Sequence, residues 1–171
     1  MVVILENSKF KGYEYDGDLK NDLPNGFGIL YFKNKNIRYS GDWKNGKKNG
    51  EGSLYYKNGR VKIKGNWTDD LPNGSAIFYD IEGNKYEGEY IFGNMFSGTC
   101  YYNNNLVYVG EFKKNLKDGF GNLYYSNGNT MYKGFFKNDK FNGYGKLYLP
   151  NGDIYEDEFK DNRMVNKVIS L

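Results

Sequence analysis

The chain has 171 residues, with 24 Lys and Arg against 21 Asp and Glu and a net charge of +3. Aromatic residues reach 19% and glycines number 23, while all hydrophobic residues together make only 39%. That balance argues against nucleic-acid binding, which needs a strongly basic surface, against a thick aliphatic core, against an internal disulfide, since Cys100 is the one cysteine, and against a spanning helix, because no long apolar run occurs.

At the N-terminus, Val2 to Leu5 reads as a strand. It carries no basic n-region, so a signal peptide is not expected and the expected location is the cytoplasm. Residues 1–14 read as a cap or as a degenerate half repeat, because Lys11-Gly12 falls where later repeats turn.

From Tyr15 the chain repeats itself. Repeats begin at Tyr15, Tyr39, Ile63, Tyr86, Tyr108, Tyr132 and Tyr155, with steps of 24, 24, 23, 22, 24 and 23 residues. Such a period marks a repeat architecture in which each unit buries its face on its neighbours. Six repeats fill residues 15–154, and a degenerate seventh with a closing edge strand takes 155–171. A glycine sits two residues after the first six starts, Gly41, Gly110 and Gly134 among them. Another follows eleven after the start at Gly26, Gly50, Gly74, Gly119 and Gly143; Gly98 comes one later, which implies a longer first half in the fourth repeat.

Each repeat predicts two strands, because side chains alternate with a period of two. In the first, Tyr39, Gly41 and Trp43 share one face and Ser40 and Asp42 the other. In the second, Gly50, Gly52 and Leu54 share a face, as do Gly119, Gly121 and Leu123, and Gly143, Gly145 and Leu147. Ala76 and Cys100 stand where the second glycine is lost, so the slot demands a small residue. The expectation is that rings from neighbouring strands lie across these glycines. A wide loop is expected inside the repeat, as at Leu23–Gly26 and Lys47–Gly50. A tight turn with both residues at positive φ is expected at Asn58-Gly59, Asn127-Gly128 and Asn151-Gly152. No helical period is present.

The last repeat has Asp157 and Asn166 in place of its glycines, and the chain ends on Val168-Ile169-Ser170-Leu171, an apolar edge strand able to pair with a second copy.

No catalytic constellation emerges. There is no histidine, hence no His-based acid, base or nucleophile pair. Gly26–Gly28 lacks the third glycine and following helix of a dinucleotide loop. Asn66-Trp67-Thr68 is a sequon by pattern only, and Cys100 reads as a packing residue. Neither a metal nor a cofactor is expected.

Two surfaces remain. The aromatic stripe Tyr39, Trp43, Trp67, Tyr86, Tyr108, Phe112, Tyr132 and Phe136 is either internal packing or a groove for a partner helix or peptide. A second set, Tyr31, Tyr55, Tyr79, Tyr124 and Tyr148, lies on the opposite face. The basic cluster Lys44, Lys47, Lys48, Lys57, Arg60, Lys62 and Lys64 holds seven cations against one acid, Glu51. It is either a solvated face or a patch for acidic phospholipid head groups. Asp153, Glu156, Asp157, Glu158 and Asp161 make the C-terminal repeat acidic.

Tyr39, Gly41, Trp43, Gly46, Lys47, Gly50, Gly52, Leu54 and Gly59 together resemble the MORN repeat (membrane occupation and recognition nexus), and the resemblance runs from Tyr15 to about Asn166. Leu19 and Tyr90 depart from its Trp/Phe, and Ile63 from its Tyr. The resemblance implies an all-β fold: an elongated, twisted, single-layer antiparallel sheet with one hairpin per repeat. It implies a non-enzymatic scaffold that binds protein partners, at a membrane or cytoskeletal structure. The alternatives are a peripheral binder of acidic phospholipids, an accessory module of a larger enzyme, and an extracellular aromatic-repeat module. Fold alone does not choose among them.

Overall fold

The computed structural model describes residues 2–6 and 9–166, and among these there is no helix. The strands are β1 (Val2–Leu5), β2 (Tyr13–Lys20), β3 (Leu23–Tyr31), β4 (Ile37–Lys44), β5 (Lys47–Tyr55), β6 (Val61–Thr68), β7 (Leu71–Tyr79), β8 (Lys85–Ile91), β9 (Asn94–Tyr102), β10 (Asn105–Lys113), β11 (Leu116–Tyr124), β12 (Thr130–Lys137), β13 (Lys140–Tyr148), β14 (Ile154–Lys160) and β15 (Arg163–Met164). They form one open antiparallel sheet whose strand order follows the chain from β1 to β15. The chain divides into two compact units. One runs to Glu82 and includes Tyr90–Gly93; the other comprises Gly83–Glu89 and the described residues from Asn94 onward. The C-terminal strand expected at Val168–Leu171 lies outside the described residues.

The turns differ from expectation, and the difference is one of class. Between β4 and β5 there is no wide loop. Asn45 and Gly46 alone connect them, at φ 49° and 73°, between the paired residues Lys44 and Lys47. Two positive-φ residues make a type I′ turn, whose twist matches the strands. Asn21-Asp22, Asp69-Asp70, Asn103-Asn104, Lys114-Asn115, Asn138-Asp139 and Asp161-Asn162 are built alike. Asn58-Gly59 closes the longer loop instead. Gly59 N–H donates to Tyr56 C=O (3.0 Å), and Tyr56 N–H to Arg60 C=O (2.9 Å). Only Gly59 takes positive φ (85°), while Asn58 Oδ1 accepts from Arg60 N–H. This is a three-residue turn ending in a left-handed glycine.

The ring-on-glycine expectation holds in the four repeats that open on Tyr15, Tyr39, Tyr108 and Tyr132. The Tyr39 ring lies over Gly41 on its own strand and Gly52 on the next; a Cβ at Gly52 would collide with the Tyr39 hydroxyl. Tyr39 Oη then donates to Asp42 C=O three residues on (3.2 Å). Tyr15, Tyr108 and Tyr132 repeat the bond to Asp18, Glu111 and Phe135 at 3.2, 3.0 and 3.2 Å. The third repeat replaces both partners together. Ile63 has no ring to lay across, and Ala76, facing Gly65, supplies a methyl in the vacated space.

The fourth repeat is shorter, not longer. Gly98 pairs with Gly110, as Gly52 pairs with Gly65, so it is the second glycine. Cys100 pairs with Tyr108 in the slot that Leu30 and Leu54 fill; it does not replace a glycine. Met95, rather than the Tyr86 ring, lies closest over Gly88 and Gly98.

Asp157 in a glycine slot is balanced at the other end of the same repeat. Its carboxylate accepts from Asn166 N–H (3.0 Å) and Asn166 Nδ2 (3.2 Å).

Successive repeats are locked through the type I′ turns and the equivalent Phe92-Gly93 turn. The second turn residue donates its N–H to a carbonyl one repeat earlier: Gly46 to Pro24, Asp70 to Lys48, Gly93 to Pro72, Asp139 to Lys117 and Asn162 to Phe141. An Asp or Asn there accepts that earlier residue's N–H in return: Asp70 from Lys48 (2.9 Å), Asn115 from Met95 (2.9 Å), Asp139 from Lys117 (2.9 Å) and Asn162 from Phe141 (2.7 Å). Proline has no N–H to give. Opposite Pro24 and Pro72 the turn residue is glycine.

Two double-mutant cycles test these couplings. Gly52→Ala should destabilise by about 2 kcal/mol through overpacking, and Tyr39→Ile with Gly52→Ala should cost less than the two changes summed, as the Ile63/Ala76 pair implies. Pro72→Met creates a buried N–H without an acceptor, a loss of roughly 1–3 kcal/mol. Gly93→Asn, whose new Cβ would meet Leu71 only at van der Waals distance, should recover about half of it. Urea midpoints read both cycles.

Candidate interaction surfaces

The aromatic stripe is closed. Tyr39, Trp43, Trp67, Tyr108, Phe112, Tyr132 and Phe136 are all buried. Their rings meet edge to face, Tyr39 with Trp43 at 4.9 Å and Tyr108 with Phe136 at 5.2 Å, the geometry that ring quadrupoles favour. Trp43 and Trp67 Nε1 donate to Gly28 and Gly52 carbonyls (3.1 and 3.0 Å). Tyr86 is half-buried, and its ring meets Tyr102 (6.1 Å).

A second layer covers the tyrosines. Lys48 Nζ sits over the Tyr39 and Trp67 rings (5.8 and 5.2 Å), Lys117 Nζ over Tyr108 (5.7 Å), and Phe141 stacks flat on Tyr132 at 3.8 Å. In the first compact unit the chain's own N-terminal loop adds to the cover. Phe10, buried, meets Trp43 edge-on at 5.8 Å. Lys9 Nζ reaches Gly46 C=O (2.8 Å) and Asp70 Oδ2 (2.7 Å).

Asp70 thus collects four bonds: its own N–H to Lys48 C=O, the Lys48 N–H and Nζ on Oδ1, and Lys9 on Oδ2. Burial alone would raise its carboxyl, but the bonds from Lys9 and Lys48 outweigh it and hold the group down at about 2. At Lys48 the balance reverses; burial outweighs the carboxylate and lowers the ammonium below its ordinary value. Burial also raises the Cys100 thiol to about 11, so Cys100 is a packing residue without thiolate reactivity at neutral pH.

The basic cluster is divided by the hairpin. Lys44, Lys47 and Lys48 stand at the type I′ edge; Lys57, Arg60 and Lys62 stand at the other end of β5 and β6, about 25 Å away at strand rise. Lys47 pairs with Asp69 (3.3 Å), Lys48 with Asp70 (3.0 Å), Arg60 binds Ile81 C=O (2.9 Å), and Lys62 covers Tyr56 (5.4 Å). Lys44 and Lys64 project with Asp42 on the face opposite the stripe.

That opposite face carries exposed aromatic rings. Phe120 and Phe135, paired across β11 and β12 with rings 5.5 Å apart, are 41% and 48% exposed; Tyr144 on β13 is 68% exposed. Phe135 also lies against Gly143. Phe27 holds the matching position in the first compact unit (61% exposed). Sequence reasoning passed over these residues, although Phe27, Phe120 and Tyr144 all occupy the middle of Gly-x-Gly. Lys9, Asp70 and Asp139 had no signal short of the tertiary structure.

The folded pKa of Asp70 lies below its ordinary 3.8, so its stabilisation is present at neutral pH and is lost as pH falls from about 4 through 2. The urea midpoint should drop over that window, and Asp70→Asn should flatten the drop while lowering the midpoint at pH 7.

The model of one repeat family, the MORN repeat, matches residues 15–37, 39–59, 64–85, 108–130 and 132–154. The unmatched stretch between the third and fourth matches is the shortened repeat, with Met95 over its glycines and Cys100 in its leucine slot. No curated protein sequence matches the chain. With matches over well over half its length and one antiparallel hairpin after another in its sheet, the chain belongs to the MORN-repeat family.

Proposed function

We propose that this chain is a non-enzymatic scaffold that binds a protein partner on the face opposite the tyrosine stripe. The supporting observation is the row Phe120, Phe135 and Tyr144. Three large rings on neighbouring strands are exposed to solvent, while the stripe itself is filled by its own packing. Contiguous exposed aromatic surface is the usual mark of an interface core. Lys133 and Lys146 border the row, Lys146 held by Glu156 at 2.8 Å.

Acidic phospholipid binding has weaker support, because the basic cluster is split between two edges and partly neutralised. A photo-crosslinking residue in place of Phe120 or Tyr144, introduced in native cells, should capture one recurrent protein partner. The same residue in place of Lys57 should not. Adducts equal at all three positions, or none, would overturn the reading. Sedimentation with phosphatidylserine vesicles at low salt checks the phospholipid alternative, and pelleting lost on Lys44→Glu with Lys57→Glu would favour it instead.

A further inference from the structure

The two compact units contain the same notch, and only one is filled. In the first, Asp70 Oδ1 accepts from Lys48 N–H and Nζ (2.9 and 3.0 Å). Its Oδ2 and the Gly46 carbonyl hold Lys9 Nζ between them at 2.7 and 2.8 Å. In the second, Asp139 Oδ1 accepts from Lys117 N–H and Nζ at 2.9 and 3.2 Å. The carbonyl equivalent to Gly46 belongs to Asn115, in the same turn position. Among the described residues nothing donates to Asp139 Oδ2 or to the Asn115 carbonyl. The Asp139 side chain is correspondingly more exposed, 44% against 30% for Asp70.

We infer that the Asp139–Asn115 notch of the second compact unit receives the ammonium of a lysine carried on a turn of a protein partner. The occupant's chemistry is read from the filled copy. One compact nitrogen bridges a carboxylate oxygen and a carbonyl, a task for an ammonium with its three free donors rather than for a planar guanidinium. The filled copy also shows the presentation: Lys9 comes from the turn over residues 9–12, not from a strand of the sheet. Charge-assisted bonds of this kind are about twice as strong as neutral ones, and Lys117, spent on Oδ1 and on the Tyr108 ring, leaves Oδ2 for the incoming cation. The inference rests on the reading that the chain binds protein, and it supplies a second point of contact on the other face.

The test uses the whole chain, isotope-labelled for amide NMR, and a synthetic peptide with the sequence of residues 5–12, which carries Lys9-Phe10. Saturable shifts are expected at Asn115, Lys117 and Asp139, weakening with salt and absent for the peptide with Lys9→Ala. Asp139→Asn keeps the acceptor for Lys117 N–H, as Asn115 and Asn162 do for their partners, so the fold is retained; affinity should fall about tenfold with the charge. Shifts insensitive to Asp139→Asn, or centred on Asp70 and Trp43, would overturn the proposal. Shifts that grow with protein concentration alone and vanish in Lys9→Ala chain would name a second copy as the occupant and overturn the partner. A partner cross-linked at Phe120 with no peptide shift at Asp139 would remove the notch and leave the scaffold reading standing.

Discussion

The contact on which the sheet depends is a tyrosine ring laid flat across two bare backbones. A sheet one layer thick has no second layer to bury its apolar face. Tyr15, Tyr39, Tyr108 and Tyr132 supply that missing layer locally, each covering a glycine on its own strand and one on the next, with its hydroxyl anchored to a carbonyl three residues on. The glycines are therefore required by space. Backbone freedom is a secondary matter for them, whereas at Gly59 it is the primary one. The Ile63/Ala76 repeat makes the point from the other side, since the ring and the bare backbone disappear together.

Register between repeats has a separate origin. Because side chains alternate strictly, a one-residue slip would turn every ring to the wrong face. The turn-to-strand bond pairs hold the register against that. They require a side-chain acceptor wherever the facing residue has an N–H and none where it is proline. The aromatic packing and this lock act on different atoms, so a repeat can lose one and keep the other. The fourth repeat does so: its glycines are covered by Met95, yet Asn115 still takes the Met95 N–H.

These constraints also allocate surface. Packing consumes the tyrosine face, and in the first compact unit the loop at Lys9-Phe10 finishes the job. The other face carries exposed rings, Phe27, Phe120, Phe135 and Tyr144 among them. Cations behave likewise. Lys48 and Lys117 are near neighbours of aromatic rings and carboxylates, part of the cover, and Lys48 is a poor choice for a lipid-binding patch despite its place in the basic run.

Period, strand alternation and glycine offsets determined the family, the all-β sheet and the tyrosine-on-glycine packing, because each is a local consequence of residue size and spacing. Turn class was not legible. Asn-Gly satisfies both a two-residue and a three-residue turn, and the choice falls to strand length and to hydrogen bonds that close across the pair. The slot of Cys100 depended on register, which one deleted residue shifts without altering composition. Tertiary structure alone decided that the stripe is sealed, that the basic run is split between two edges, and that Lys9 meets Asp70 from 61 residues away. Such contacts are set by which chain segments the sheet brings together, and no local pattern encodes them.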